Sequence, residues 1–303
     1  MLSRLCCCLS RGAVPENGSK VNSSSADAAA THAKSLNSAA THTQNGANEG
    51  RKGKGSGPSE GKGPNQSAVL VELFTSQGCS SCPSADLLIS KLGQGKSQDL
   101  ALDVPVLVLA YHVDYWDYLG WKDTFASSFW TVRQRAYGQA LQQDSIYTPE
   151  VVVQGRKHCV ASNLDSILSL VHEAPRFPAP EIHANFSRQS SSALEVSLAI
   201  SLKFKVEGFT LDVMVSIYEN GLVTNCAKGE NVGRVLTNDF VVRGLEKAVT
   251  IQDWPAKKSI KGKVTLSLWE GYTKSRCGLT VFLQNPQTLE VYGALPLELP
   301  EEV

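Results

Sequence analysis

The sequence predicts an α/β domain followed by a β-sandwich domain, behind a disordered N-terminal leader, and three observations carry that prediction. From about residue 10 to residue 67 the chain is Ser, Ala, Asn, Gly, Thr and Lys with almost no large apolar side chain, so it cannot bury enough surface to offset its ordering entropy. From residue 68 onward, apolar runs of strand length alternate with helical patterns, the mark of a sheet covered by helices. Beyond Pro175, Pro178 and Pro180, which oppose both helix and central strand, short β-type runs follow closely, as in a sandwich. The expected division is therefore 1–67 leader, 68–175 α/β domain and 181–299 β-sandwich domain.

The elements follow in order. Val69 to Thr75 is apolar on both faces except at Glu72, which suits a central strand covered on each side. A helix is predicted over Cys82 to Leu92, opened by Pro83, whose missing N–H costs nothing in a first turn. Then come a strand over Val104 to Val113, a helix over Phe125 to Leu141, a strand over Val151 to Gln154 and a helix over Leu164 to Glu173. In the second part the expected strands are Leu194 to Leu202, Leu211 to Glu219 with Asn220-Gly221 as a hairpin turn, Val264 to Trp269, Leu279 to Gln284 and Leu289 to Gly293.

Composition narrows the function classes. The 303 residues carry 29 basic and 29 acidic side chains, so no excess positive charge is available to replace counterions along a phosphate backbone, and a nucleic-acid partner is not expected. No apolar run approaches the roughly 18 residues of a membrane-spanning helix. The eight cysteines do not form a scaffold: Cys6, Cys7 and Cys8 are contiguous, Cys79 and Cys82 form a C-x-x-C, and Cys159, Cys226 and Cys277 are isolated. Cys6 to Cys8 between Arg4 and Arg11 fit palmitoylation; an organelle-targeting leader fits equally. The expected location is cytoplasmic, with membrane association if those cysteines carry lipid.

The chemistry centres on Cys79-Ser80-Ser81-Cys82-Pro83, which lies between a strand and a helix. Unpaired N–H groups and the positive dipole end at a helix start favour thiolate, so Cys79 is expected to have a lowered pKa and the more exposed sulfur. Cys82, one turn on, can resolve a mixed disulfide. A structural zinc site shares the spacing, yet no second C-x-x-C or H-x-x-x-H exists, so no metal is expected. After the second strand, Asp114, Tyr115, Trp116, Asp117 and Tyr118 should emerge at the same sheet edge as Cys79. They are candidates for a substrate groove, or else core plugs and helix caps. His112, at a strand end, reads as a satisfied core imidazole ahead of a proton shuttle. Gly229-Glu230-Asn231-Val232-Gly233-Arg234 lacks the strand-to-helix context of a phosphate loop, and its glycines read as turns.

Strand, C-x-x-C, helix, strand and helix, followed by Tyr147-Thr148-Pro149-Glu150-Val151, resemble the thioredoxin superfamily over residues 68 to 173. The resemblance implies a thioredoxin-like fold for the first domain. It also implies a cis Thr148-Pro149 bond that packs against the C-x-x-C and docks the substrate backbone. The motifs around Cys79, His112 to Trp121 and Gly229 to Asn231 further resemble a little-characterised bacterial and plant branch, with a thioredoxin-like domain followed by a β domain of unknown function. Gly78 replaces the Trp that precedes the first cysteine in thioredoxin itself, and Ser80-Ser81 replace Gly-Pro. Glu72, a lone carboxylate among apolar neighbours, falls near where such proteins carry a buried acid behind the second cysteine. It is thus a candidate base for the Cys82 proton, or a structural carboxylate with an Arg partner.

Two function classes fit these residues. The first is a thiol-disulfide oxidoreductase acting on protein or small-molecule disulfides, with Cys79, Cys82 and Glu72 catalytic, no cofactor, and an unidentified reductant. The second is a protein-binding module whose Cys79-Cys82 pair does not turn over.

Overall fold

The computed structural model describes residues 66–95 and 102–301. The expectations for the leader and for Cys6, Cys7 and Cys8 lie outside these residues, except that Ser67 is already buried and donates its N–H to the Phe177 carbonyl at 2.9 Å. The order is β1 (Val69–Thr75), α1 (Cys82–Gln94), β2 (Val106–His112), α2 (Ser128–Ala140), β3 (Glu150–Val153), β4 (Lys157–Val160) and α3 (Leu164–Glu173). Nine strands follow: β5 (Glu181–Ser190), β6 (Ala193–Ser201), β7 (Val206–Glu219), β8 (Leu222–Asn225), β9 (Val235–Asn238), β10 (Val241–Trp254), β11 (Ser259–Ser267), β12 (Cys277–Gln284) and β13 (Val291–Leu297). The protein is a mixed α/β structure with one large sheet and few helices.

That sheet has eight strands in the order β13-β12-β7-β10-β2-β1-β3-β4. β1 pairs parallel with β2 and antiparallel with β3, and Val71, Leu73 and Thr75 alternate with Leu70, Glu72 and Phe74 across its two faces. The first face, with Val69, packs on Ala85, Ile89 and Leu92 of α1 and on Ile167 and Val171 of α3. The second meets Tyr111, Tyr137 of α2, and Val242, Phe282, Val291 and Ala294 from far along the chain. Strands from both sides of the proline-rich link therefore share one sheet and one core. The join is narrow, a parallel contact of Val241 with Ala110 and a 2.8 Å bond from the Ala110 N–H to the Phe240 carbonyl.

A second sheet, β11-β6-β5, stacks on the β7, β10 and β12 end of the first. Leu194, Val196, Leu198 and Ile200 of β6 interdigitate there with Leu211, Val213, Val215 and Ile217 of β7, as alternation directs. Asn220-Gly221 does turn the chain, with Gly221 at φ 66°, but it does not close a hairpin. β7 pairs with β10 and β12, while β8 swings away to pair with β9. The inner face of this small hairpin, with buried Leu222, Leu236 and Asn238, packs against α1 and the cysteine loop.

Candidate functional site

The loop from Ser76 to Ser81 leaves β1 and enters α1 at Cys82, with Pro83 in the first turn. Gly78 lets the loop pass close to Trp116, since a Cβ there would come within 3.1 Å of Trp116 Cβ and of its carbonyl oxygen. Cys79 and Cys82 are both free thiols, and both are buried, Cys79 being 5% exposed. The expected exposure of Cys79 is corrected: it sits three residues ahead of the helix, with its sulfur beside the Thr148 carbonyl, and not at an open helix end.

The two sulfurs have opposite electrostatics. The Cys82 thiol donates to Cys79, and with the hydroxyl and N–H of Ser81 it lowers the Cys79 pKa to about 5 against the opposing effect of burial. The Ser81 hydroxyl lies 3.3 Å from the sulfur and the Thr148 carbonyl 3.8 Å. Burial, the bond to Cys79 and the negative charge of Asp86 push the Cys82 pKa far up.

Asp86 is not among the sequence-predicted site residues, although it lies four residues after Cys82 on one helix face. It is buried, accepts from Thr75 Oγ1 at 2.6 Å and from Asn238 Nδ2 at 3.2 Å, and burial raises its pKa to about 6. Behind it, His112 Nδ1 and Asp123 Oδ2 are 2.7 Å apart. Burial alone would lower the His112 pKa, but Asp123 and then Asp86 outweigh it, so the imidazole is held above its ordinary value.

Glu72 is elsewhere. Its carboxylate faces away from α1, accepts Arg133 Nη2 at 2.6 Å and Nε at 2.9 Å, and takes a further bond from the Tyr137 hydroxyl. Of the two readings open for Glu72, the Arg-partnered carboxylate fits and the base for Cys82 does not; the acid whose charge acts on Cys82 is Asp86. The reason is strand alternation: α1 covers the face of Val71, Leu73 and Thr75, and Glu72 is on the other.

The Thr148–Pro149 bond is cis. Thr148 Oγ1 accepts from the Trp116 indole N–H at 2.7 Å, and Trp116 stacks on Tyr118, which is 77% exposed. Tyr115 donates its hydroxyl to Gln134 Oε1 at 3.1 Å. Cys79, Cys82, Thr148, Pro149, Tyr115 and Trp116 therefore come together. Asp114 and Asp117 are engaged in the fold: Asp114 accepts from Thr131 Oγ1 at 2.6 Å, and Asp117 from the Asp123 N–H at 3.1 Å. A cavity of about 750 Å³ between α2 and β10 contains none of these residues. Among the described residues no three His, Cys, Asp or Glu side chains are grouped to hold a metal ion.

The second part of the chain also reaches the loop. Asn231 Nδ2, fully buried, donates to the Gln77 and Cys79 carbonyls, each at 2.9 Å. Gln77 Nε2 donates to Thr224 Oγ1 and Asn238 Oδ1, each at 3.0 Å.

A family model described as "protein of unknown function (DUF1223)" matches residues 70–284. The chain belongs to this family. The DUF1223 match spans both the cysteine loop and the strands that brace it. A solved structure of a protein from Agrobacterium tumefaciens is similar at 27% identity, with 77% of this chain and 95% of that one covered and a TM-score of 0.55. HBP35 of Porphyromonas gingivalis is similar at 13% identity, covering 77% of its chain and 79% of this one with a TM-score of 0.52, a likeness of fold alone. No curated protein matches this DUF1223 chain.

Proposed function

We propose that this protein is a thiol-disulfide oxidoreductase built on a thioredoxin-like unit at residues 68–173. The observation that carries the reading is geometric: Cys79 and Cys82 flank the start of α1, and the carbonyl of Thr148, which precedes the cis Pro149, lies 3.8 Å from the Cys79 sulfur; the lowered pKa of Cys79 and the raised pKa of Cys82 agree with it. The strand order β2-β1-β3-β4 with one parallel pair, and the cis Thr148–Pro149 bond within reach of Cys79, support it.

The Cys79 thiolate attacks one sulfur of a substrate disulfide, forming a mixed disulfide and releasing the other sulfur as thiolate. Cys82 then gives its proton to Asp86 and attacks the Cys79 sulfur. The Cys79–Cys82 disulfide forms and the second substrate thiolate leaves. The substrate gains two electrons and the protein dithiol loses them, so an external thiol or dithiol reductant must restore the pair. Trp116, Tyr118 and Thr148 supply the surface on which the substrate chain lies.

A second reading, a protein-binding module without turnover, is favoured by one observation: Cys79 is 5% exposed beside an exposed aromatic surface. Insulin-disulfide reduction with dithiothreitol as donor separates the two. Turnover by the wild type and its loss in Cys79→Ser are expected; no turnover by the wild type would leave the binding module.

A further inference from the structure

Asn231 stands in a loop that belongs to neither strand of its hairpin yet is tightly built. The Cys226 N–H donates to the Arg234 carbonyl at 2.9 Å, the Gly233 N–H to the Cys226 carbonyl at 2.8 Å, and the Val232 N–H to the Gly229 carbonyl at 3.2 Å. Gly229, at φ 73°, lies so close to Trp121 that a Cβ would fall 2.9 Å from Trp121 Cβ. Trp121 in turn donates its indole N–H to Gln77 Oε1 at 3.2 Å. The loop is therefore braced on the same segment that its asparagine grips.

The grip is complete on both ends of the amide. The two Nδ2 hydrogens serve the carbonyls of Gln77 and Cys79, and Oδ1 accepts from Arg234 Nη1 at 2.8 Å. The Cys79 carbonyl also accepts the Cys82 N–H at 3.3 Å, so it is the hinge of the turn that brings the Ser81 N–H to the sulfur. A carbonyl fully engaged by donors cannot swing its negative end toward a neighbouring thiolate, and a turn anchored at its first residue keeps its later N–H groups aimed.

We propose that Asn231 is the positioning residue of the cysteine pair: by holding the Gln77 and Cys79 carbonyls it fixes the turn that stabilises the Cys79 thiolate, and so it sets the redox poise of the site from the far part of the chain. This rests on the thiol-disulfide reading above. Asn231 touches no reacting atom; it acts through the backbone of Cys79. Released from the amide, the Gln77 carbonyl loses its Asn231 donor and the Cys79 carbonyl keeps only the Cys82 N–H at 3.3 Å, the turn loosens, the Ser81 N–H loses its alignment, and the reduced form loses its advantage over the disulfide.

The test reads two quantities that loss of packing alone does not move together: the pH midpoint of Cys79 alkylation by iodoacetamide, and the Cys79–Cys82 dithiol–disulfide equilibrium against glutathione at pH 7. In Asn231→Ala the midpoint should rise by about one pH unit, and the equilibrium should move about tenfold toward the disulfide. Arg234→Ala, which frees Asn231 Oδ1 at a more exposed position, should shift both in the same direction by less, and it serves as the readout should Asn231→Ala fail to fold. Folded variants with the wild-type midpoint and equilibrium would overturn the positioning role and leave the sulfur chemistry standing. A wild-type Cys79 with the midpoint of an ordinary thiol, about 8.5, would instead overturn the thiol-disulfide reading and this inference with it.

Discussion

At the scale of single residues, three side chains carry separable consequences. Cys79, with its pKa lowered to about 5, is already thiolate at pH 6, so its alkylation rate should stay nearly flat from pH 6 to 8 while Cys82 remains unlabelled; an ordinary thiol would instead gain about tenfold per pH unit in that range. Mass-spectrometric labelling of the two cysteines checks this. Asp86, raised to about 6 by burial, is a base only once pH climbs through that value. Resolution of a mixed disulfide on Cys79 should therefore rise between pH 5 and 7 and level off above, and Asp86→Asn should slow it by about 10² and flatten the rise. A variant that resolves at the wild-type rate across this range would remove Asp86 from the mechanism. Glu72 belongs to stability: Glu72→Gln leaves the Arg133 guanidinium, 11% exposed, without its counterion. Breaking such a pair costs about 3–5 kcal/mol, readable as a fall in urea midpoint, with the pH profile of resolution unchanged.

At the scale of elements, the loop between β8 and β9 is as much part of the sulfur site as the start of α1. Gly229 sits at φ 73° against Trp121, so Gly229→Ala meets both a left-handed backbone, about 1–3 kcal/mol for a residue with a Cβ, and a contact with no room. The expected result is a destabilised protein with altered tryptophan fluorescence, since Trp121 must move off Gln77; an unchanged spectrum and urea midpoint would show that the loop yields without cost. β5, β8, β9 and β10 lie outside the sequence-based expectation for different reasons. β5 reads Glu181-Ile182-His183-Ala184-Asn185-Phe186, a regular polar–apolar alternation whose Ile182, Ala184 and Phe186 pack on the sandwich core, so its signal is present in the sequence directly after the proline-rich link. β10 shifts register at three places, between Val242 and Gly244, Lys247 and Val249, and Gln252 and Trp254. Each bulge moves the apolar residues to the other parity, so no period-2 pattern survives over its 14 residues. β8 and β9 are four residues each and paired only with one another, too short to announce themselves.

At the scale of the molecule, the sheet runs through the proline-rich link without stopping. Val242, Phe282, Val291 and Ala294 close the core over Leu70, Phe74 and Tyr111, and Asn231 and Asn238 close the site over Cys79 and Asp86. A chain ending at Pro175 keeps every predicted catalytic and substrate-binding residue but loses these contacts. It should expose the β1–β2 face, bind a hydrophobic dye such as anilinonaphthalene sulfonate, and melt without a cooperative transition; cooperative melting with wild-type Cys79 reactivity would show that the first segment suffices.

The sequence by itself determined the elements whose signals are local. β1, α1, β2, α2, β3 and α3 lie within a few residues of where periodicity and Pro83 put them, because burial pattern and chain stiffness act over a few neighbours. It also determined which cysteines stand together and which proline follows Thr148, since both are matters of order along the chain. Only the tertiary structure decided what surrounds the sulfurs. Glu72 and Asp86 are both carboxylates near the motif, and the choice between them turns on which face of β1 the first helix covers. Asn231, 152 residues from Cys79, is brought to it by a sheet that joins β2 to β10 through a single residue pair. Contacts of that kind are paid for by the whole core and not by the residues that make them, so no local pattern records them.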